Sequence, residues 1–114
     1  MSWDHTYDVV VVGSGAAAFA AAVTAADAGL SVVMLEGTDR WGGSSAMSGG
    51  GMWLPNNPLM QSDGAGDSRE EALAYLERTV GDAGPATSRA RKEAFVDGVA
   101  PMVTMVQRLG RRLS

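Results

Sequence analysis

Apolar residues fall in two patterns along this chain, and the change between them divides the sequence. Asp8-Val9-Val10-Val11-Val12 and Ser31-Val32-Val33-Met34-Leu35 are short, β-branched runs without alternation. That pattern predicts parallel strands covered by helices on both faces. Between them, residues 16–28 are almost all alanine, which favours helix and allows close packing, and Gly29 follows as a stop. Residues 56–66 are turn-rich, with Pro58, Gly64 and Gly66 among polar residues, and are expected to be an exposed connection. Beyond them the period becomes helical. Ser68 and Glu71 form a capping box, and Ala72, Leu73, Leu76 and Val80 give one apolar face to a helix ending near Gly81. Gly84-Pro85 marks a turn before a helix expected from near Thr87 with Ala90, Ala94 and Phe95. Pro101 is expected to open a further helix whose stripe is Met102, Val103, Val106 and Leu109.

The turn after the first strand carries the first chemical signal. Gly13-Ser14-Gly15-Ala16-Ala17-Ala18 fits G-x-G-x-x-G/A, with Gly13 for a tight turn and Gly15 for close approach of backbone to a pyrophosphate. Ala18 lets the helix sit close to the strand, and the helix N-terminal amides favour anionic phosphates. Glu36 closes the second strand about 20 residues on, where a carboxylate accepts hydrogen bonds from ribose hydroxyls and repels a 2′-phosphate. The plainer alternatives are an ordinary strand-to-helix turn for Gly13 and Gly15, and a surface acid for Glu36. Strand, glycines, helix and acid in this order predict an α/β fold: a Rossmann-like dinucleotide-binding βαβ unit with following helices and an incomplete sheet.

A second loop, Gly42-Gly43-Ser44-Ser45-Ala46-Met47-Ser48-Gly49-Gly50-Gly51-Met52-Trp53-Leu54-Pro55, places glycines where a bulky ligand touches backbone and hydroxyls where it needs donors. The plain alternative is a solvated flexible loop. With DVVVVGSGAAAFAAA, SVVMLE and GGSSAMSGGGMWLPNN, the chain resembles the FAD-binding domain of the fumarate reductase and succinate dehydrogenase flavoprotein superfamily, and within it the 3-ketosteroid dehydrogenases. The resemblance implies FAD as cofactor. It implies that Gly13, Ser14, Gly15, Ala16 and Ala17 border the pyrophosphate and that Glu36 binds the adenosine ribose. Gly43, Ser44 and Ser45 would follow the phosphates, and Ser48, Gly49 and Gly50 would approach the flavin ring. Two positions depart from the pattern: Gly37 replaces a basic residue many relatives carry after the acid, and Ala18 takes the third glycine position.

Composition narrows the partners. The chain has 114 residues, 46% hydrophobic and 19% charged, which is the balance of a globular protein. A net charge of −4 argues against nucleic acid as the main partner. Arg89, Arg91, Lys92, Arg108, Arg111 and Arg112 cluster late and read as a solvated helix face. Without cysteine, disulfides, thiolate catalysis and cysteine-ligated metals are excluded within the chain. His5, the single histidine, lies in a polar start that lacks a basic region followed by an apolar one. No segment is long and apolar enough for a transmembrane helix. A surface role for His5 and a cytoplasmic location are expected. Tyr75 is expected to be a packing residue.

The organisation expected is an N-terminal arm over 1–6, the FAD-binding βαβ and glycine-rich loop over 7–55, and a connecting loop with helices over 56–114. Two parallel strands need further partners, so the chain is read as a fragment, a truncated reading frame, or one piece of a split protein. The resemblance implies an FAD-dependent oxidoreductase that dehydrogenates an activated carbon–carbon bond of a 3-ketosteroid-like substrate, bound through a domain missing from this chain. It implies a hydride moving to the flavin with a tyrosine-assisted base, the tyrosines lying after Ser114, so no catalytic residue is assigned. Fumarate reductase-like chemistry and a catalytically incomplete FAD-binding fragment stand as alternatives. A nicotinamide-dependent dehydrogenase leaves the second glycine loop unexplained.

Overall fold

A computed structural model describes residues 2–110. The chain separates into two compact units, the first ending at Met52 and the second beginning at Trp53.

In the first unit, β1 (Val9–Val12) and β2 (Val32–Leu35) pair in parallel, with Val9 opposite Val32 and Val12 opposite Leu35. α1 (Ala16–Asp27) connects them, as the alanine run predicts. It ends in a Schellman motif: Leu30 N–H donates to the Ala25 carbonyl, Gly29 N–H to that of Ala26, and Gly29 takes φ +83°. Asp8 and Ser31 lock the strand starts together, because the Asp8 carboxylate accepts from both the Ser31 amide (2.8 Å) and its hydroxyl (2.6 Å).

The expected cover on both faces is corrected. Strand alternation and the parallel register place Val9, Val11, Val32 and Met34 on one side. Val11 is buried there, and Phe19, Ala22, Val23 and Ala26 of α1 share an apolar groove of about 370 Å³ with Val32 and Met34. On the other side Val10, Val12 and Leu35 are exposed, Val12 at 81%. The sheet of the described residues is therefore covered by a helix on one face and has two strands, so that the apolar runs meet only half of the cover they are built for.

The second unit is helical and holds its own core. α3 (Arg69–Thr79) and α4 (Arg89–Gly110) pack together through Ala72, Leu73 and Val96, with Leu76 against them. Ser68 caps α3 by accepting from Glu71 N–H at 3.1 Å. The reciprocal arm of the capping box is replaced, since Ser68 N–H donates to Asp67 at 2.9 Å. Lys92 departs from the expected solvated face: it is only 7% exposed and donates to Glu77 (2.7 Å) and to the Gly81 carbonyl (2.8 Å), closing the C-terminal end of α3. Arg111 and Arg112 lie outside the described residues.

Two helix expectations are also corrected. Pro101 does not start a helix but sits inside α4, which runs unbroken from Arg89. A proline removes a single backbone donor, while Val96, Val99 and Val103 keep one buried stripe on both sides of it. Within the expected connection, Pro58–Ser62 forms a short helix, α2. The Asn57 side chain caps it by accepting from Leu59 and Met60 N–H, and Pro58 occupies a first-turn position that needs no donor. Tyr75 is a packing residue as expected, its ring 5.3 Å from that of Trp53, which stacks on Phe95 at 5.8 Å.

Candidate functional site

The site residues predicted from sequence all belong to the first unit, and the strand–turn–helix geometry brings most of them to the C-terminal end of the two strands. Gly13 takes φ +97°, a left-handed conformation that favours glycine, and its N–H donates to the Leu35 carbonyl at 2.7 Å. Nothing lies within 4 Å of the position a Cβ would take there, so the turn leaves open space. Gly15 is the N-cap of α1, and Ala16 and Ala17 form the first turn with exposed side chains.

The second glycine loop is more ordered than a flexible linker. Gly43–Met47 forms a 3-10 turn that follows Gly42 in the left-handed region. Ser45 is brought to the start of α1, where its hydroxyl accepts from Ala16 N–H at 3.1 Å. That hydroxyl keeps its own proton for another acceptor. Ser48 turns back on its own loop, donating to the Ser45 carbonyl (2.9 Å) and accepting from Gly50 N–H (3.2 Å). Ser44 and Gly49 are exposed, and Gly50 takes φ +76°.

Ser14 and Glu36 are joined directly. The Ser14 hydroxyl donates to Glu36 Oε2 and accepts from Gly42 N–H at 2.9 Å. Ser14 is 1% exposed, the most buried side chain among the described residues. Its hydroxyl therefore faces the protein, and only its backbone borders the turn. Glu36 Oε1 accepts from Thr38 N–H at 3.0 Å and lies 3.0 Å from the Thr38 hydroxyl. The Ser14 hydroxyl, then the Thr38 amide and hydroxyl, hold the Glu36 carboxyl below the usual carboxylate range. Sequence reasoning misses Thr38 and Gly42. The acid-x-Thr spacing is the available signal for Thr38, and for Gly42 it is the first glycine of the loop, whose Cβ would stand 2.6 Å from that of Ala46.

Residues 8–114 match the family of the FAD binding domain. The chain belongs to this family. FAD is its cofactor, and the residues present fit one: an open left-handed turn at Gly13, a helix start carrying the Ser45 hydroxyl, and a carboxylate at the end of β2. The 3-oxosteroid 1-dehydrogenase of Mycolicibacterium smegmatis is 55% identical over 100 residues, which cover 88% of this chain and 17% of that protein. The 4-oxocyclohexanecarboxylate 2-dehydrogenase of Sinomonas cyclohexanicum is 44% identical over 108 residues, covering 95% of this chain and 18% of that one. Among solved structures, the 3-ketosteroid Δ1-dehydrogenase of Sterolibacterium denitrificans in complex with 1,4-androstadiene-3,17-dione superposes with a TM-score of 0.79 at 43% identity, over 90% of this chain and 17% of that chain. The chain thus spans about a fifth or less of the length of these relatives. Among the described residues no helix is long and apolar enough to cross a membrane, and no group of three metal-ligating side chains occurs.

Proposed function

We propose that this FAD binding domain serves an FAD-dependent oxidoreductase that dehydrogenates a carbon–carbon bond activated by a ring ketone, with a 3-ketosteroid as first substrate class. Gly13, Gly15, Ala16 and Ala17 would border the pyrophosphate with Ser44, Ser45 and Gly43 beside it. Glu36 would accept from the adenosine ribose, and Ser48, Gly49 and Gly50 would lie toward the flavin ring. Bound FAD supplies an acceptor for a hydride from the substrate carbon. The chain's own residues bind and orient the dinucleotide: the first turn of α1 and the Ser45 hydroxyl present donors to phosphate, and the Glu36 carboxylate presents an acceptor to ribose.

The observation that carries the cofactor part is the Ser45 hydroxyl held on Ala16 N–H beside an open glycine turn. The names of the relatives carry the substrate part, since the Mycolicibacterium, Sinomonas and Sterolibacterium enzymes are all dehydrogenases of ring ketones. The protein that contains this domain is loaded with FAD and mixed with a 3-ketosteroid and a dye acceptor: dye reduction supports the reading, and bound FAD without reduction overturns it. A cytoplasmic location belongs to the same proposal, and cell fractionation tests it.

A further inference from the structure

The residue that joins the site together is not one that faces the dinucleotide. Ser14 sits between the two glycines of the turn, yet its hydroxyl is sealed from solvent and spent inside the protein. It gives its one proton to Glu36 and takes one from the Gly42 amide. Three separate stretches of sequence therefore meet at a single oxygen: the turn after β1, the end of β2, and the start of the second glycine loop.

Glu36 is correspondingly constrained. A carboxylate offers about four acceptor positions, two on each oxygen. On Oε1, the Thr38 amide fills one, and the Thr38 hydroxyl stands at the second while also lying 2.9 Å from the Arg40 carbonyl, with one proton to share between them. Oε2 has the Ser14 hydroxyl as its side-chain partner, whereas Oε1 faces both the amide and the hydroxyl of Thr38. The oxygen that Ser14 holds is thus the less crowded one for a ligand hydroxyl.

We infer that Ser14 is a positioning residue for the cofactor, holding the Glu36 carboxylate turned so that Oε2 accepts from the adenosine ribose, and tying that acceptor to the second glycine loop through Gly42. The inference rests on the reading of Glu36 as the ribose acceptor. Ser14→Ala removes the donor and keeps the backbone that borders the turn. The groups that set the charge of Glu36 are the Ser14 hydroxyl first, then the Thr38 amide and hydroxyl, with desolvation opposing them and the Gly37 amide assisting. Asp39 and Arg40 are the nearest charged residues along its own loop.

The test measures FAD affinity of the full chain by quenching of flavin fluorescence across a pH series, for the wild type, Ser14→Ala and Glu36→Gln. Ser14→Ala is expected to weaken binding about tenfold at neutral pH, as for a lost hydrogen bond to a charged group. Without the donor the Glu36 carboxyl titrates higher, so affinity begins to fall at a higher pH than in the wild type. A residue that merely packs would lower affinity evenly with no displacement of that limb, and this result overturns the inference. Glu36→Gln weakening FAD while Ser14→Ala keeps the wild-type pH profile overturns the role of Ser14 alone. Glu36→Gln without effect overturns the ribose reading and this inference with it. If Ser14→Ala does not fold, carbon-13 titration of Glu36 in the wild-type chain decides: a depressed carboxyl and an exchange-protected Ser14 hydroxyl proton support the inference, and an ordinary titration with a fast-exchanging hydroxyl contradicts it.

Discussion

The two units use their residues in opposite ways. The helical unit spends apolar side chains on a core of Ala72, Leu73 and Val96, continued along α4 by Val99 and Val103. Its charged groups close the surface, with Arg69 gripping Asp97 through two bonds of 2.6 and 2.9 Å and Lys92 sealing the end of α3. In the βαβ unit only Val11 and Ser14 are buried among the described residues, while Val10, Val12, Phe19, Leu35 and Trp41 remain exposed. What that unit organises instead is backbone: left-handed glycines at 13, 29, 42, 43 and 50, and hydroxyl-to-amide bonds between its loops. One region is built to exclude water and the other to present donors and acceptors, which is the difference between a packing module and a ligand cradle.

The contrast breaks most sharply under substitution. Leu73→Ala removes a core side chain from the helical unit and is expected to cost about 2–5 kcal/mol, read as a fall in the midpoint of urea unfolding followed by helical circular dichroism. A midpoint close to the wild type would mean that the helical core contributes little. In the cradle the largest single effect should come from a glycine, not from an apolar residue. Gly42→Ala meets both a left-handed backbone (φ +101°) and Ala46, so it is expected to cost about 1–3 kcal/mol and to weaken FAD in the fluorescence titration. Unchanged FAD affinity in Gly42→Ala would separate the second loop from the cofactor.

These effects also mark what the sequence exposes and what it conceals. Backbone demands are legible: Gly13 and Gly15 at fixed spacing, Gly29 after the alanine run, and Glu36 at the strand end all occupy the places their spacing implies. Side-chain direction is not, because a serine between two glycines reads equally as facing a phosphate or facing the protein, and only the third dimension turns Ser14 toward Glu36. Lys92 is concealed for a similar reason: its partners, Glu77 and Gly81, lie on another helix and its end. Pro101 misleads by local rule, since the buried stripe on both sides outweighs the loss of one backbone donor. Asn57-Pro58 is a readable cap-and-first-turn signal hidden inside a stretch rich in turn residues.

Acid titration gives a smaller effect that sharpens the same division. Hydrogen bonds from Ser31 lower the carboxyl of Asp8, Ser14 and Thr38 lower that of Glu36, and Arg69 lowers that of Asp97. A carboxyl lowered on folding stabilises the folded chain above its ordinary range, and that contribution is lost as pH falls through the lowered value. The loss therefore belongs below about pH 4. Two of the three groups lie in the βαβ unit, and Asp8→Asn is expected to flatten the acid slope of stability measured by urea unfolding at a series of pH values. An unchanged slope would mean that the Asp8–Ser31 clamp contributes nothing to stability. The smallest effect is expected for Arg69→Lys, which loses a bidentate grip at an exposed position and should lower the melting temperature by about 1–2 °C in calorimetry. A fall as large as that of Leu73→Ala would show that ion pairs carry as much of the helical unit as its core does.

That the glycine turn, the Ser45-bearing loop and Glu36 together form an FAD cradle can be checked by titrating the purified chain with FAD and following flavin fluorescence. Saturable quenching, weakened by Gly15→Val and by Glu36→Ala and unaffected by Arg69→Lys, is the outcome expected. Saturable quenching of equal strength in all three variants would refute the cradle, because the cofactor would then be held by something other than the residues this structure brings together.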